Sequence, residues 1–337
     1  MFVLRGPVVN LTQHTLGYVD QETRVWAGAA SAELEWTVGP VDGAAQQESH
    51  EVITRYESGL ATGGEWVTDS NCREGQRRVR NSRANYTSTI ATLEPVSSNY
   101  YPVNCLIRSS SADVTLAVAV DRSEGGASLA DGALELMVHR RMQHDDGRGV
   151  GEALNEPGLD GNGLVIRGRH WLLAAPAAAA PAAYKALHVQ SLAPTALQMF
   201  AAMGALSPAQ WLAANKPSAS VLAAPLPPNV FLATLHAYND TALLLRLAHL
   251  YDAGEDAAMS APATVDLATL LAGKTIAAAE EMTLPGSQPL AGLPRRTYTT
   301  DGGAAFDMPV VPAPPAGDKL TVVLRAQELR TFMVSVA

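Results

Sequence analysis

The stretch Glu33-Leu34-Glu35-Trp36-Thr37-Val38 alternates polar and apolar side chains, so Leu34, Trp36 and Val38 point one way while Glu33, Glu35 and Thr37 point the other. A period of two belongs to a half-buried strand, because successive side chains of a strand leave opposite faces. The same alternation recurs at Val114, Leu116, Val118 and Val120, and at Leu134, Leu136 and Val138. It returns late at Leu320, Val322 and Leu324, then at Phe332, Val334 and Val336. Strands of this kind, separated by Gly, Asp and Asn turns, predict a large antiparallel sandwich.

Between Ala174 and Pro228 the chain changes character, becoming rich in Ala and Pro with few alternating stretches. Ser207-Pro208 followed by AQWLAANK reads as a short capped helix. After Pro227-Pro228 the strand pattern resumes with NVFLATLHAY and ALLLRLAHLY, cut by turn signals at Gly254, Gly273, Gly286 and Gly302. The expected organisation is a large sandwich over 1–173, an Ala/Pro-rich connector with short helices over 174–228, and a smaller immunoglobulin-like sandwich over 229–337.

Charge narrows the partners. The 337 residues carry 24 Lys plus Arg against 33 Asp plus Glu, a formal charge of -9, which repels phosphate backbones and argues against nucleic acid as a partner. The one basic cluster, Arg73, Arg77, Arg78, Arg80 and Arg83, reads as a solvated strand or loop rather than an anion site. The longest apolar run, Trp171 to Tyr184, is broken by Pro176 and Pro181 and falls short of the ~20 residues that span a bilayer, so no membrane partner is expected. The opening MFVLRGPVVNLTQHTL lacks the apolar run of an export signal peptide. Three Asn-x-Ser/Thr triplets, at Asn10, Asn85 and Asn239, are candidate N-glycosylation acceptors if the chain enters the secretory pathway. Cys72 and Cys105 are too few for a disulfide scaffold and lack CxxC spacing, leaving two readings, buried thiols or a single bridge.

No catalytic motif stands in the sequence. HExxH, GxSxG and GxxxxGK[ST] are missing, and the Gly-rich GRGVGE from Gly147 departs from GxGxxG at its last position. His139 and His144 in HRRMQHDD are five apart, on opposite faces of a regular strand, so only a turn could bring both to one metal; a surface hairpin is the better reading. Asp145 and Asp146 are adjacent, and neighbouring strand residues point apart, so the pair does not make the opposed acid and base of glycosidic cleavage.

Several stretches are more distinctive than generic β-protein: ELEWTVGP (33 to 40), EVITRYES (51 to 58), TDSNCRE (68 to 74), NYYPVN (99 to 104), DRSEGGASLADGALELMVHRRMQHDDGRGVGE (121 to 152) and RGRHWLL (167 to 173). With LLLRLAHLYDAGED (243 to 256) and LRAQELRTFMVSV (324 to 336), this ordered series resembles the C-terminal half of lysosomal-type α-mannosidases of glycoside hydrolase family 38, over nearly the whole chain. The resemblance implies a mainly β fold: a large antiparallel sandwich of the galactose mutarotase-like super-sandwich kind, followed by the smaller immunoglobulin-like one. It implies a zinc-dependent retaining hydrolase of terminal α-D-mannosides, acting on oligosaccharides or N-glycans through an Asp nucleophile and a second carboxylate. In that family the zinc ligands and nucleophile belong to the N-terminal catalytic α/β barrel, which this chain lacks. No catalytic residue and no metal ligand is therefore carried over, and the chain alone is expected to be inactive.

The resemblance does imply partners and a support role. The partners are the catalytic barrel of the same enzyme and α-mannoside glycans, and the expected location is lysosome, vacuole or secretory pathway. The family loop matching DDGRG approaches the rim of the mannose pocket, so Arg148, Asp145 and Asp146 are candidate substrate-rim residues; a purely structural turn, with an Asp satisfying Arg148, is the competing reading. Tyr100, Tyr101, Asn104, Asp69 and Asn71 could form a sugar platform but read better as interior and turn residues, and the Arg of DRSEGG could bridge domains. Family members generally have Gly at the position of Cys72 and no Cys at that of Cys105, and the paired change points to a bridge between neighbouring strands. The rival function is a stand-alone carbohydrate-binding or scaffolding sandwich without catalysis. An apolar face left by a missing barrel would make the isolated chain poorly soluble.

Overall fold

The computed structural model describes residues 2–4, 8–15, 17–41, 49–83, 93–192, 204–216, 220–293, 298–299, 301–302, 305–306 and 320–337. The chain is mainly β and divides into two compact units, Met1–Thr195 and Ala196–Ala337.

In the first unit a nine-stranded sheet runs in the order β1 (Phe2–Leu4), β2 (Val8–Thr15), β3 (Val19–Trp26), β4 (Ser31–Val38), β13 (Ile166–Pro176), β10 (Val114–Val120), β9 (Leu106–Ser110), β6 (Glu65–Ser70) and β7 (Glu74–Val79). A second sheet has the order β5 (His50–Glu57), β12 (Ala133–Arg141), β11 (Glu124–Ala127) and β8 (Tyr101–Val103). Leu34, Trp66, Ile107, Leu116, Val118 and Val120 of the first sheet meet Tyr56, Val103, Leu134 and Leu136 from the second in one dry core. The alternation read in ELEWTV is borne out: Leu34, Trp36 and Val38 are buried. Between them, Glu33 and Glu35 form an outward row with Arg24 and Arg169, Glu35 lying 3.0 Å from Arg24 and 3.2 Å from Arg169.

In β10 the apolar alternation conceals a second buried face. Ala117 and Ala119 are as dry as Val118, because the helix Ala180–Leu192 lies across the outer side of β10 and β13. Ala180, Tyr184 and Leu187 of that helix pack on Ala117, Ala119, Trp171, Leu173 and Ala175. The spacing i, i+4, i+7 gives the helix one apolar stripe, and the alanines beneath let it approach closely. The connector expected over 174–228 is thus arranged differently: β13 runs on to Pro176, the first helix completes the core of the first unit, and the units part at Thr195 and Ala196.

One polar thread crosses the core between the sheets. His170 of β13 is fully buried, with Tyr56 Oη 2.8 Å from Nδ1 and both carboxylate oxygens of Glu124 3.1 Å from Nε2. Burial, and after it the charge of Glu124, hold the Tyr56 hydroxyl protonated far above the ordinary tyrosine range. The Tyr56 hydroxyl can donate to Nδ1 while Nε2–H donates to Glu124, so the three groups of this thread satisfy one another.

The second unit repeats the scheme at smaller scale. One sheet has the order β14 (Val230–Ala237), β15 (Ala242–His249), β21 (Leu329–Val336) and β17 (Ile276–Met282); the pairs β16 (Ala263–Asp266) with β20 (Thr321–Leu324) and β18 (Tyr298–Thr299) with β19 (Ala305–Phe306) are separate. Leu245, Leu247, Phe332 and Val334 of the larger sheet pack against Val265, Val322 and Leu324. The helix Pro208–Ala214 carries the expected cap: Ser207 Oγ accepts from the Gln210 amide, and Gln210 Oε1 accepts from the Ser207 amide.

Three consequences can be measured. A Cβ built at Gly168 would lie 2.2 Å from the buried Trp36 ring, so Gly168→Ala should cost about 1–3 kcal/mol in urea unfolding, and less in a Trp36→Leu background. Tyr56→Phe leaves His170 Nδ1 without its donor and should cost about 1–3 kcal/mol by the same method. The hydrogen bond from Arg24, aided by the charges of Arg24, Arg169 and Arg167 and opposed by desolvation, lowers the Glu35 carboxyl below its ordinary value. Its folded pKa then lies below the unfolded one, so its contribution is present above about pH 4.3 and is lost as pH falls through the folded value. Melting temperature followed from neutral to acid pH should fall less steeply at the acid end in Glu35→Gln.

Candidate functional site

The connection from Met142 to Val165, between β12 and β13, carries the candidate rim residues. Its base is fixed by Arg141, the last residue of β12, whose Nη1 donates to the carbonyls of Val41 (2.7 Å) and Asn162 (3.2 Å) and whose Nε donates to Asn155 Oδ1 (2.6 Å). Asn155 in turn donates to Gln143 Oε1, and the Met142 amide donates to the Leu154 carbonyl, closing the loop across its neck. The tip, Asp145 to Gly151, stands clear of these ties and is exposed.

Two consecutive Asx turns shape the tip. Asp145 Oδ2 accepts from the Gly147 amide and Asp146 Oδ1 from the Arg148 amide, each at 2.9 Å. Gly147 and Gly149 take φ of 71° and 150°, left-handed conformations that a side chain would resist. The carboxylates are thus engaged with backbone, and the Arg148 guanidinium has no hydrogen-bond or ion-pair partner among the described residues. Along the same loop Val150 (75% exposed), Leu154, Leu159 and Val165 face solvent. An unpaired guanidinium, flanked by carboxylate oxygens with lone pairs to spare and by bare apolar side chains, suits a surface that meets sugar hydroxyls or another protein surface.

The other sequence candidates are placed as follows. His139 is buried, its Nε2 facing the Leu164 carbonyl and its Nδ1 the Arg140 amide, while His144 is exposed in the loop; the two do not converge. Cys72 and Cys105 are joined, with Cα atoms 5.3 Å apart. Around them Asp69 acts as a hub, Oδ2 accepting from the Cys72 amide and Oδ1 from the amides of Asn104, Cys105 and Leu106. Tyr100 donates to Glu135, and Tyr101 packs edge-on to Trp66 beneath Arg78; both rings are half-buried. In the basic cluster, Arg77 pairs with Glu65, Arg80 with Asp131, and Arg83 donates to the Ser98 carbonyl. Arg122, of DRSEGG, is held within the first unit by Asp121 and the Arg167 carbonyl. Asn10 lies in β2 between β1 and β3, Asn239 is exposed at the end of β14, and Asn85 falls outside the described residues.

Among the described residues the one gathering of three candidate ligands is Cys72, Cys105 and His188, with ligand atoms within 4.8 Å of one another. The two sulfurs are bonded to each other and neither is a thiolate, so this set does not fit a zinc ion. Sequence alone does not single out Arg141 or Glu124, and it offers Asp69 as a platform or turn residue, not as a hub for backbone amides. Each looks like one more surface charge until the fold brings its distant partners, and the one signal to hand was that Asp69 sits two residues from a turn next to a cysteine. No helix among the described residues is long and apolar enough to cross a membrane.

Comparison with known proteins places this geometry. Residues 3–148 match the glycosyl hydrolases family 38 C-terminal domain. The chain is 40% identical to lysosomal alpha-mannosidase of Cavia porcellus over 332 residues, 98% of this chain and 32% of that protein. The human lysosomal alpha-mannosidase is 38% identical over 338 residues, again covering 32% of its length. The chain therefore spans about a third of the relatives it matches. The crystal structure of an alpha-mannosidase from Enterococcus faecalis V583 has the same fold, with a TM-score of 0.56 at 12% identity over 94% of this chain and 28% of that one. The chain thus carries a glycosyl hydrolases family 38 C-terminal domain over residues 3–148, and through both of its units it is similar to the C-terminal portion of lysosomal alpha-mannosidases.

Proposed function

We propose that this chain serves as the C-terminal portion of an α-mannosidase that hydrolyses terminal α-D-mannose from oligosaccharides or N-glycans. Its part is to support an N-terminal catalytic domain and to present the Asp145–Arg148 tip at the rim of the mannose pocket. The observation that carries the reading is the likeness to lysosomal alpha-mannosidases over 98% of this chain but only 32% of their length. A loop clamped at its neck by Arg141, with an unpaired Arg148 and bare apolar side chains, supports the docking role.

Retaining cleavage of a mannoside needs a nucleophilic carboxylate and an acid/base carboxylate about 5–5.5 Å apart, and zinc would act as a Lewis acid at the sugar. In this reading both carboxylates and the zinc site belong to the catalytic domain. The residues of this chain position: Arg148 donates to a sugar hydroxyl, directly or through water, while the Asx turns keep its backbone from shifting when the sugar leaves. The Cys72–Cys105 bridge and the relatives' names fit an oxidising lumen, so we place the protein in the lysosome, the vacuole or elsewhere on the secretory route.

The purified chain should release no product from a chromogenic α-mannoside with zinc present, and turnover by it alone would overturn the reading. Co-expressed with the N-terminal portion of a lysosomal-type α-mannosidase, it should co-purify and restore zinc-dependent cleavage. In that complex Arg148→Ala should lower kcat/KM by about tenfold, chiefly through KM, the loss of one charged hydrogen bond. Unchanged kinetics would remove Arg148 from the rim. Sugar binding by the isolated chain, measured by calorimetry with mannose oligosaccharides, would favour a binding module instead.

A further inference from the structure

The hairpin that joins β14 to β15 turns through Tyr238-Asn239-Asp240-Thr241, and these four residues are exposed. The amides of Tyr238 and Asn239 both donate to the Ala242 carbonyl, at 2.9 and 3.2 Å, which fixes the tight end of the ribbon. Asn239 then folds over its own turn: Oδ1 accepts from the Thr241 amide at 3.0 Å and from the Thr241 hydroxyl at 3.2 Å. Its Nδ2 makes no hydrogen bond among the described residues. The adjacent Tyr238 is 66% exposed, and its hydroxyl has no partner there either.

These observations go beyond an Asn-x-Thr triplet in the sequence. Both bonds of the Asn239 side chain fall on Oδ1, so Nδ2 stands in an exposed turn free of competing bonds. The residue between the two is Asp240, so no proline blocks the turn. Asn10, by contrast, is held in a strand with a neighbour on each side.

The geometry points to Asn239 as an N-glycosylation site whose first N-acetylglucosamine lies on the Tyr238 ring. The donor is a lipid-linked oligosaccharide pyrophosphate. Nδ2 attacks the anomeric carbon, a C–N bond forms as the C–O bond to the pyrophosphate breaks, the lipid pyrophosphate leaves with the bonding pair, and the Nδ2 proton passes to a base of the transferring enzyme. An exposed aromatic ring beside the linkage offers its face to the apolar face of the sugar, covering surface that is otherwise wet. The site rests on the secretory location proposed above and not on the catalytic role.

The test fuses an export signal to the full chain in a eukaryotic secretory host, which supplies that passage. Deglycosylation by a peptide amidase in heavy-oxygen water should convert Asn239 to labelled aspartate, and Thr241→Ala should abolish the label. If the chain is retained, the same peptide is read from the microsomal fraction. An unlabelled Asn239 in either fraction, with or without label at Asn10 or Asn85, overturns the proposal. The glycosylated chain should melt about 2–4 °C above Asn239→Gln, and Tyr238→Ala should erase most of that difference. An unchanged difference in Tyr238→Ala overturns the stacking of sugar on Tyr238.

Discussion

The pairing of β10 with β13, from Val114 opposite Pro176 to Val120 opposite His170, is the interaction on which the first unit depends. A central strand pair in a wide sheet is dry only if both faces are covered. Leu116, Val118 and Val120 are covered by the second sheet, and Ala117, Ala119, Trp171 and Leu173 by the helix Ala180–Leu192. The alanines matter for this second cover, since larger side chains would lift the helix away and open gaps between it and the sheet. β13 also pairs with β4, so the same strand sets the outward row of Glu33, Glu35 and Arg169.

β13 ties the scaffold to features outside its sheet at two points, His170 within the strand and the connection that precedes it. His170 reaches across the core to Tyr56 and Glu124, joining the two sheets by hydrogen bonds in a region where an unpaired polar group would be costly. The strand is preceded by the Met142–Val165 connection, whose neck Arg141 fastens to Val41 and Asn162. A loop held this way can carry an exposed tip without itself unravelling, the usual division between a rigid scaffold and the residues that meet a partner.

Charge on this surface is mostly spoken for. Arg24, Arg77 and Arg80 face carboxylates, Arg78 and Arg83 lie against Tyr101, and Asp69 spends its carboxylate on four backbone amides. Against that background the unpaired guanidinium of Arg148, at the edge of the family-matched segment, stands apart.

The sequence by itself determined the strands and the class of fold. Period-two patterning in ELEWTV and its later counterparts is a local property of side-chain alternation, and distinctive ordered motifs carried the family across the whole chain. The cap at Ser207 was equally legible, because its partners are three residues apart. Tertiary structure alone decided that Ala117 and Ala119 are core, that the Ala-rich stretch after β13 supplies a covering helix, and that Asp145 and Asp146 bond backbone amides rather than the Arg148 guanidinium. It also decided the roles of Asp69, Glu124 and Arg141, most of whose partners lie more than ten residues away in sequence. Alternation says which side of a strand is apolar; only the packed sheets say what covers the other side and which distant groups a buried charge meets.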